Sequence, residues 1–345
     1  MSEKSEKSNE SEEKIRKFDD DDFIYISMRL KSLELKNLNY DRYEKMIEAK
    51  NLTEAEAVLT ECEYGSGGAD TEKILTEELK KYYELIRKYS PDKNMVDFFM
   101  YFNDCHNLKS LIKSEIAGID GEHLFINSCA VSYESALNAV RDRDFSGYMQ
   151  NVAKAAPEVI ADFAVKRDPM LIDIDIDKAM YADLDLIVNG SMIKTDYMRR
   201  YFTRRADITN ILTAIRIFRL GYSESLLSRA IVPGGSLSSG YFTDGFDGGE
   251  QGLIESLKTG PYSMLFEFSE GITLPFYKIE KAADEIINSI VSEVKFKSYG
   301  AEAVVAFMIA KEAEVKNARI ILSGKASSLD TGIIRERLRS VNIYG

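Results

Sequence analysis

KEAEVKNARIILSGK, residues 311–325, holds the pattern that decides the fold. In it Glu314 stands three places before Asn317. The same acid-x-x-Asn step recurs as Asp207 and Asn210 in TRRADITNILTAIRIFRLG (203–221) and as Asp104 and Asn107 in FNDCHNLKSLIKSEIAG (102–118). The three acids are 103 and 107 positions apart. One place after the acid stand Cys105, Ile208 and Val315; four after it, Leu108, Ile211 and Ala318; eight after it, Ile112, Ile215 and Leu322. These offsets fall on one stripe of a helix, the stripe that faces a core. Gly118 and Gly221 stop the first two copies at the same offset, where a left-handed glycine commonly closes a helix. A repeat of about 105 residues is too long for a solenoid unit and has the size of a small domain. The chain is therefore expected to be all-α, with three related helical domains.

Each acid and its amide share one helix face. We expect Asp104, Asn107, Asp207, Asn210, Glu314 and Asn317 to tie their helices to a neighbouring helix or loop, satisfying polar groups and fixing register, rather than to form a reactive site.

Outward from the repeat, the sequence reads as helices broken by turns. Thr53 with Glu56 three residues later predicts a capped helix start. Apolar periodicity predicts long helices over about Thr71–Tyr89 and about Met95–Ile116, with Pro91 between them. Gly65–Gly68, Pro233–Gly235, Asp244–Gly252 and Gly260–Pro261 read as breakers. Alternation of period two is confined to Ile172–Asp177. Its three aspartates begin like a calcium loop, but Lys178 and Leu184 stand where that loop needs glycine and glutamate, so the run reads as an acidic helix start. The expected partition is an acidic tail over 1–20 and helical domains over 21–120, 121–235 and 236–345.

The chain of 345 residues carries 57 acidic and 45 basic side chains, a net charge of −12. That balance opposes nucleic-acid binding, which needs a basic surface. Nine acids and five bases within residues 1–22 give a segment too polar to bury. No apolar run reaches the ~20 residues of a membrane span. Cys62, Cys105 and Cys129 have no regular spacing, which fits a reducing cytoplasm. The only histidines, His106 and His123, are not at metal-site spacing. No P-loop, nucleophile elbow or dinucleotide fingerprint occurs. Catalytic, cofactor and metal residues are accordingly expected to be none. Arg199, Arg200, Arg204 and Arg205 read as a solvated helix face.

The run from Ala303 to Arg339, AVVAFMIAKEAEVKNARIILSGKASSLDTGIIRERLR, resembles the terminal signature of the V/A-type ATPase C/d subunit family. The matching features are Lys311-Glu312-x-Glu314-x-x-Asn317-x-Arg319, then Gly324-Lys325, then Ile334-Arg335-x-Arg337-Leu338. The opening run from Phe23, FIYISMRLKSLELKNLNYDRYEKMIEAKNLTEAEAVLTECEYG, is similar to the same family's N-terminus. The resemblance spans about residues 22–343 and is looser between Gly121 and Leu186. It implies a funnel of three helical domains with pseudo-threefold symmetry and no catalytic residues. It also implies a rotor socket, present as a monomer in a hetero-oligomeric complex. Its partners would be the coiled-coil central-stalk subunits (D and F type) and the membrane proteolipid ring, on the cytoplasmic side. A free-standing helical adaptor of the same fold is the alternative, and a helical enzyme without a known motif a more distant one.

Overall fold

The computed structural model describes residues 18–65, 70–190, 196–267 and 274–340. Most of the acidic tail and residues 66–68 of the glycine-rich breaker lie outside the described residues. Among the described residues the fold is all-α. The first helices are α1 (Ile24–Leu33), α2 (Tyr40–Glu48), α3 (Leu52–Glu61), α4 (Thr71–Tyr89) and α5 (Asn94–Ala117). They are followed by α6 (Tyr133–Asp142), α7 (Gln150–Lys166), α8 (Met170–Gly190), α9 (Asp196–Leu220) and α10 (Glu224–Ala230). The last are α11 (Ser239–Thr243), α12 (Gly249–Leu257), α13 (Phe276–Asn288), α14 (Ala301–Ala326) and α15 (Thr331–Arg337).

Local chemistry sets the helix ends. Asn51, not Thr53, caps α3: its side chain accepts from the Glu54 N–H at 2.9 Å, and the Glu54 carboxylate accepts from the Lys50 N–H at 2.9 Å. Asparagine outranks threonine as a cap. Glu56 instead takes the Thr71 hydroxyl at 2.6 Å. The long helices α5 and α9 both end in left-handed glycines, Gly118 at φ +67° and Gly221 at φ +68°. Past each glycine, the next N–H returns to the last helical turn, Ile119 to the Ser114 carbonyl and Tyr222 to the Ile217 carbonyl.

The Ile172–Asp177 alternation lies within α8. Asp173 and Asp177, one turn apart, meet Lys113 and Lys109 on α5 at 2.6 and 2.5 Å. Asp175 points the other way, to Arg229 on α10, whose Nε lies 2.8 Å from it. Alternate aspartates thus clasp two different helices.

Three apolar cores organise the molecule. The first gathers the N-terminal halves of α5, α9 and α14: Phe98 and Phe99, Tyr201 and Phe202, and Val304 to Ala310. The rings of Phe99 and Tyr201 stack at 5.6 Å, and Phe98 meets Phe202 edge-on at 6.0 Å. From there α5 carries the core outward to α6, α7 and α8 through Leu108, Leu111 and Ile112. The second core joins Ile208–Ile217 of α9 to α10, α12 and α13. The third joins Leu38–Leu79 of α2–α4 to Val315–Leu322 of α14 and Ile334 of α15. Each of α9 and α14 therefore begins in one core and ends in another. Truncating a fully buried side chain at such a junction, Ile211→Ala for example, costs about 2–5 kcal/mol.

Candidate functional site

Two of the three acid-x-x-Asn pairs sit where their long helices, α9 and α14, change cores, while Asp104 and Asn107 lie within the first core. Asp207 lies between Ala206 of the shared core and Ile208 of the second, and Glu314 directly precedes Val315 of the third. All six residues are buried. Each asparagine makes the same clamp on a backbone peptide 19 or 22 residues downstream. Asn107 accepts from the Ile126 N–H at 2.8 Å and donates to its carbonyl at 2.9 Å. Asn210 does so with Val232 at 2.8 and 3.0 Å, and Asn317 with Arg339 at 2.9 and 3.3 Å.

The acids differ more. Asp104 accepts from the Ala130 and Val131 N–H groups at 2.9 and 2.8 Å. Burial pushes its pKa up to about 6, against the pull of those two N–H donors. Asp207 accepts from Leu237 N–H at 2.9 Å, Ser236 Oγ at 2.5 Å and the Tyr262 hydroxyl at 2.6 Å. The loop at Pro233 is built for this approach: a Cβ on Gly235 would collide with Asp207 Oδ1, and one on Gly234 would collide with the Phe202 ring. Glu314 accepts from Tyr64 and from Lys311, the latter at 2.8 Å. The three pairs are not brought together; each holds its own loop or helix.

The concave feature lies elsewhere. A cavity of about 730 Å³ opens between α4, α5, α9, α13 and α14, so all three long helices contribute to its wall. None of the six pair residues lines it, although their neighbours Asn103, Ile208 and Val315 do. Its charged lining balances: Glu72, Glu280, Asp284 and Glu312 against Arg205, Lys316, Arg319 and Arg339. Asp284 takes Lys316 at 2.6 Å and Arg339 at 2.7 Å. Glu72 takes Arg319 at 2.5 Å, and Glu280 takes Arg216 at 3.0 Å. Glu312 accepts the Tyr83 hydroxyl at 2.7 Å and lies 3.6 Å from Arg205.

Arg205 departs from the expected solvated face. Its guanidinium lies 3.6 Å from the centre of the Phe102 ring and donates to the Tyr201 hydroxyl at 2.7 Å. Arg200 and Arg204 share Glu293 at 2.8 and 2.9 Å. Arg199 and Arg200 are exposed, while Arg204 and Arg205 are half-buried. Of the four, Arg205 is the one that lines the cavity, which residue type alone does not reveal.

A second group is marked in the sequence only in part, by Lys311 and Glu314 of the signature run, and its third member, Glu78, comes from α4. Lys311, 1% exposed, reaches Glu78 at 3.1 Å as well as Glu314, with the Tyr82 ring 4.5 Å away. This cluster joins α4 to α14, and none of its members lines the cavity. Among the described residues, no group of three His, Cys, Asp or Glu side chains is placed to hold a metal ion. No described helix is long and apolar enough to cross a membrane.

The cavity is thus charge-balanced and walled by three long helices. A family profile described as ATP synthase (C/AC39) subunit matches residues 26–337. The chain is 23% identical over 323 residues to the C subunit of the V-type sodium ATPase of Enterococcus hirae, covering 90% of this chain and 96% of that protein. It is 24% identical over 349 residues to the C subunit of the A-type ATP synthase of Methanocaldococcus jannaschii, covering 92% and 86%. The A-type C subunit of Thermococcus kodakarensis is 22% identical over 341 residues, covering 91% and 89%. With its profile matched over nearly the whole chain, the protein belongs to the ATP synthase (C/AC39) subunit family.

Proposed function

We propose that this chain is the non-catalytic central-stalk socket of a V/A-type ATPase or ATP synthase. Its cavity receives the tip of the stalk coiled coil, supplied by D- and F-type subunits. Its opposite face rests on the membrane proteolipid ring, on the cytoplasmic side. Rotation and proton or sodium transport are coupled through it. Three related helical domains around a pseudo-threefold axis form the wall, each carrying one acid-x-x-Asn pair that pins a loop to its long helix.

The observation that carries this reading is the cavity itself. It is walled by α5, α9 and α14 together and lined by four acids and four bases. A surface that stands in water before assembly must be polar, because a large apolar patch would aggregate. Charges paired within the wall can be re-paired across an interface, which offsets the cost of removing them from water. Purifying the tagged protein in gentle detergent and identifying its companions tests the reading. Stalk and proteolipid subunits are the expected companions; their absence, with the protein recovered alone, overturns it.

A further inference from the structure

Around the cavity the charges do not pair one to one. The lining holds four acids and four bases, but Glu280 takes its base, Arg216, from outside the lining. Glu72 is matched by Arg319 at 2.5 Å, and Glu312 by Arg205 at 3.6 Å. Two bases then remain for one acid. Lys316 Nζ and Arg339 Nε both reach Asp284, and on the same oxygen, Oδ2, at 2.6 and 2.7 Å. Among the described residues this is the one place on the wall where a carboxylate serves two cations, in a chain whose net charge is −12.

The two bases are held differently. Arg339 is fixed at both ends. Asn317 clamps its peptide at 2.9 and 3.3 Å, and its guanidinium also donates from Nη1 to the Arg337 carbonyl at 2.6 Å. Its side chain is 11% exposed. In the first two copies of the repeat the clamped residue is apolar, Ile126 or Val232; in the third it is an arginine, and the clamp delivers that arginine to Asp284. Lys316 hangs on one bond, with its side chain 44% exposed. It stands one turn after Glu312, whose carboxylate is already taken by the Tyr83 hydroxyl at 2.7 Å. A lysine is a compact charge on a flexible stem and re-aims without a fixed approach angle. Turning Lys316 away leaves Asp284 with Arg339. Turning Arg319 away leaves Glu72 without a cation, and turning Arg205 away leaves Glu312 with a hydroxyl alone.

We propose that Lys316 is the acceptor for one carboxylate carried on the polypeptide that fills the cavity, with Arg339 keeping Asp284 paired while Lys316 turns. The proposal rests on the socket reading above. An incoming acid gives each base on the wall an acid of its own and parts two like charges that now share an oxygen. An incoming base would add a third cation to the group.

Binding of the stalk subunit pair, measured by titration calorimetry, tests the assignment through its signs. Lys316→Met is expected to weaken binding at least about fivefold, with an unchanged melting temperature because each acid keeps a base. Asp284→Asn removes the carboxylate that competes for Lys316 and is expected to tighten binding. A salt bridge with only a structural role predicts an earlier melt in both variants and tighter binding in neither. In a second arm, each Asp and Glu of the stalk pair is changed in turn to Asn or Gln. One of these changes is expected to weaken binding to the parent and to have no further effect on Lys316→Met. This arm needs Lys316→Met alone and decides the matter if Asp284→Asn does not fold. Unchanged binding by Lys316→Met, no tightening by a folded Asp284→Asn, or the absence of any such coupled acid overturns the acceptor while leaving the socket intact. Failure of the parent to bind the stalk pair overturns the socket reading and the acceptor with it.

Discussion

Lys311 Nζ lies 2.8 Å from Glu314 Oε1, with the two side chains 1% and 5% exposed. Glu78 completes the group at 3.1 Å. Two buried carboxylates thus share one buried ammonium. Lys311→Met leaves Glu314 without its counter-charge and Glu78 with Lys81 alone, at 3.3 Å, and breaking a buried pair in this way costs about 3–5 kcal/mol. Thermal unfolding should show that loss in Lys311→Met and less of it in Lys311→Met/Glu314→Gln, where one charge is removed with its partner. Equal melting temperatures for wild type and Lys311→Met would refute the dependence.

The three asparagine clamps give a parallel expectation. Replacing Asn107, Asn210 or Asn317 with Leu strands a buried peptide, at about 1–3 kcal/mol each. All three variants should melt earlier. An unchanged melting temperature combined with lost coupling in the assembled complex would place these residues on a working surface instead.

Acid should act on Asp104 in a definite direction. Its folded pKa is raised to about 6, above the ~3.9 of an unfolded aspartate. Between those values the folded state binds more protons than the unfolded state, so this residue's contribution to stability rises as pH falls from 7 towards 4. The full gain is about 2–3 kcal/mol, from the shift at 1.36 kcal/mol per unit. Comparing melting temperatures of wild type and Asp104→Asn at pH 4, 5, 6 and 7 isolates the effect. Parallel curves would show that the two backbone donors hold the carboxylate ionised throughout.

Much of the helical framework was legible in the sequence because helices are governed by local rules. The predicted Thr71–Tyr89 helix matches α4, and Gly118 and Gly221 terminate their helices as their offset implied. The cap at Asn51 was misplaced by two residues because Thr53 and Glu56 offered an equally regular local signal. The distribution of cores was not legible: nothing local to Ile74 or Leu79 says that their partner is α14. Nor does a lysine three places before a glutamate, at 311 and 314, announce burial, since both residue types usually face water. The charged cavity stayed hidden for the same reason, its eight charges coming from five separated parts of the chain.

The cavity predicts salt-sensitive docking. If the stalk pair re-pairs charges such as Asp284, Lys316 and Arg319, its affinity should fall as ionic strength screens them. Titration at low and high salt measures this. Affinity indifferent to salt, with a large negative heat-capacity change, would indicate apolar docking instead.

The third core has a consequence for how the protein is made. Tyr64 donates to Glu314 across 250 residues of chain, and the Tyr43 hydroxyl reaches the Glu314 carbonyl across 271. Helices α2–α4 emerge from the ribosome long before α14, which supplies the apolar surface that covers Val58, Leu59 and Ile74. At about 5–20 residues per second, 250 residues take roughly 12–50 s to synthesise. Through that interval the nascent chain displays an uncovered apolar face, a standing target for holding chaperones until the last long helix arrives to seal it.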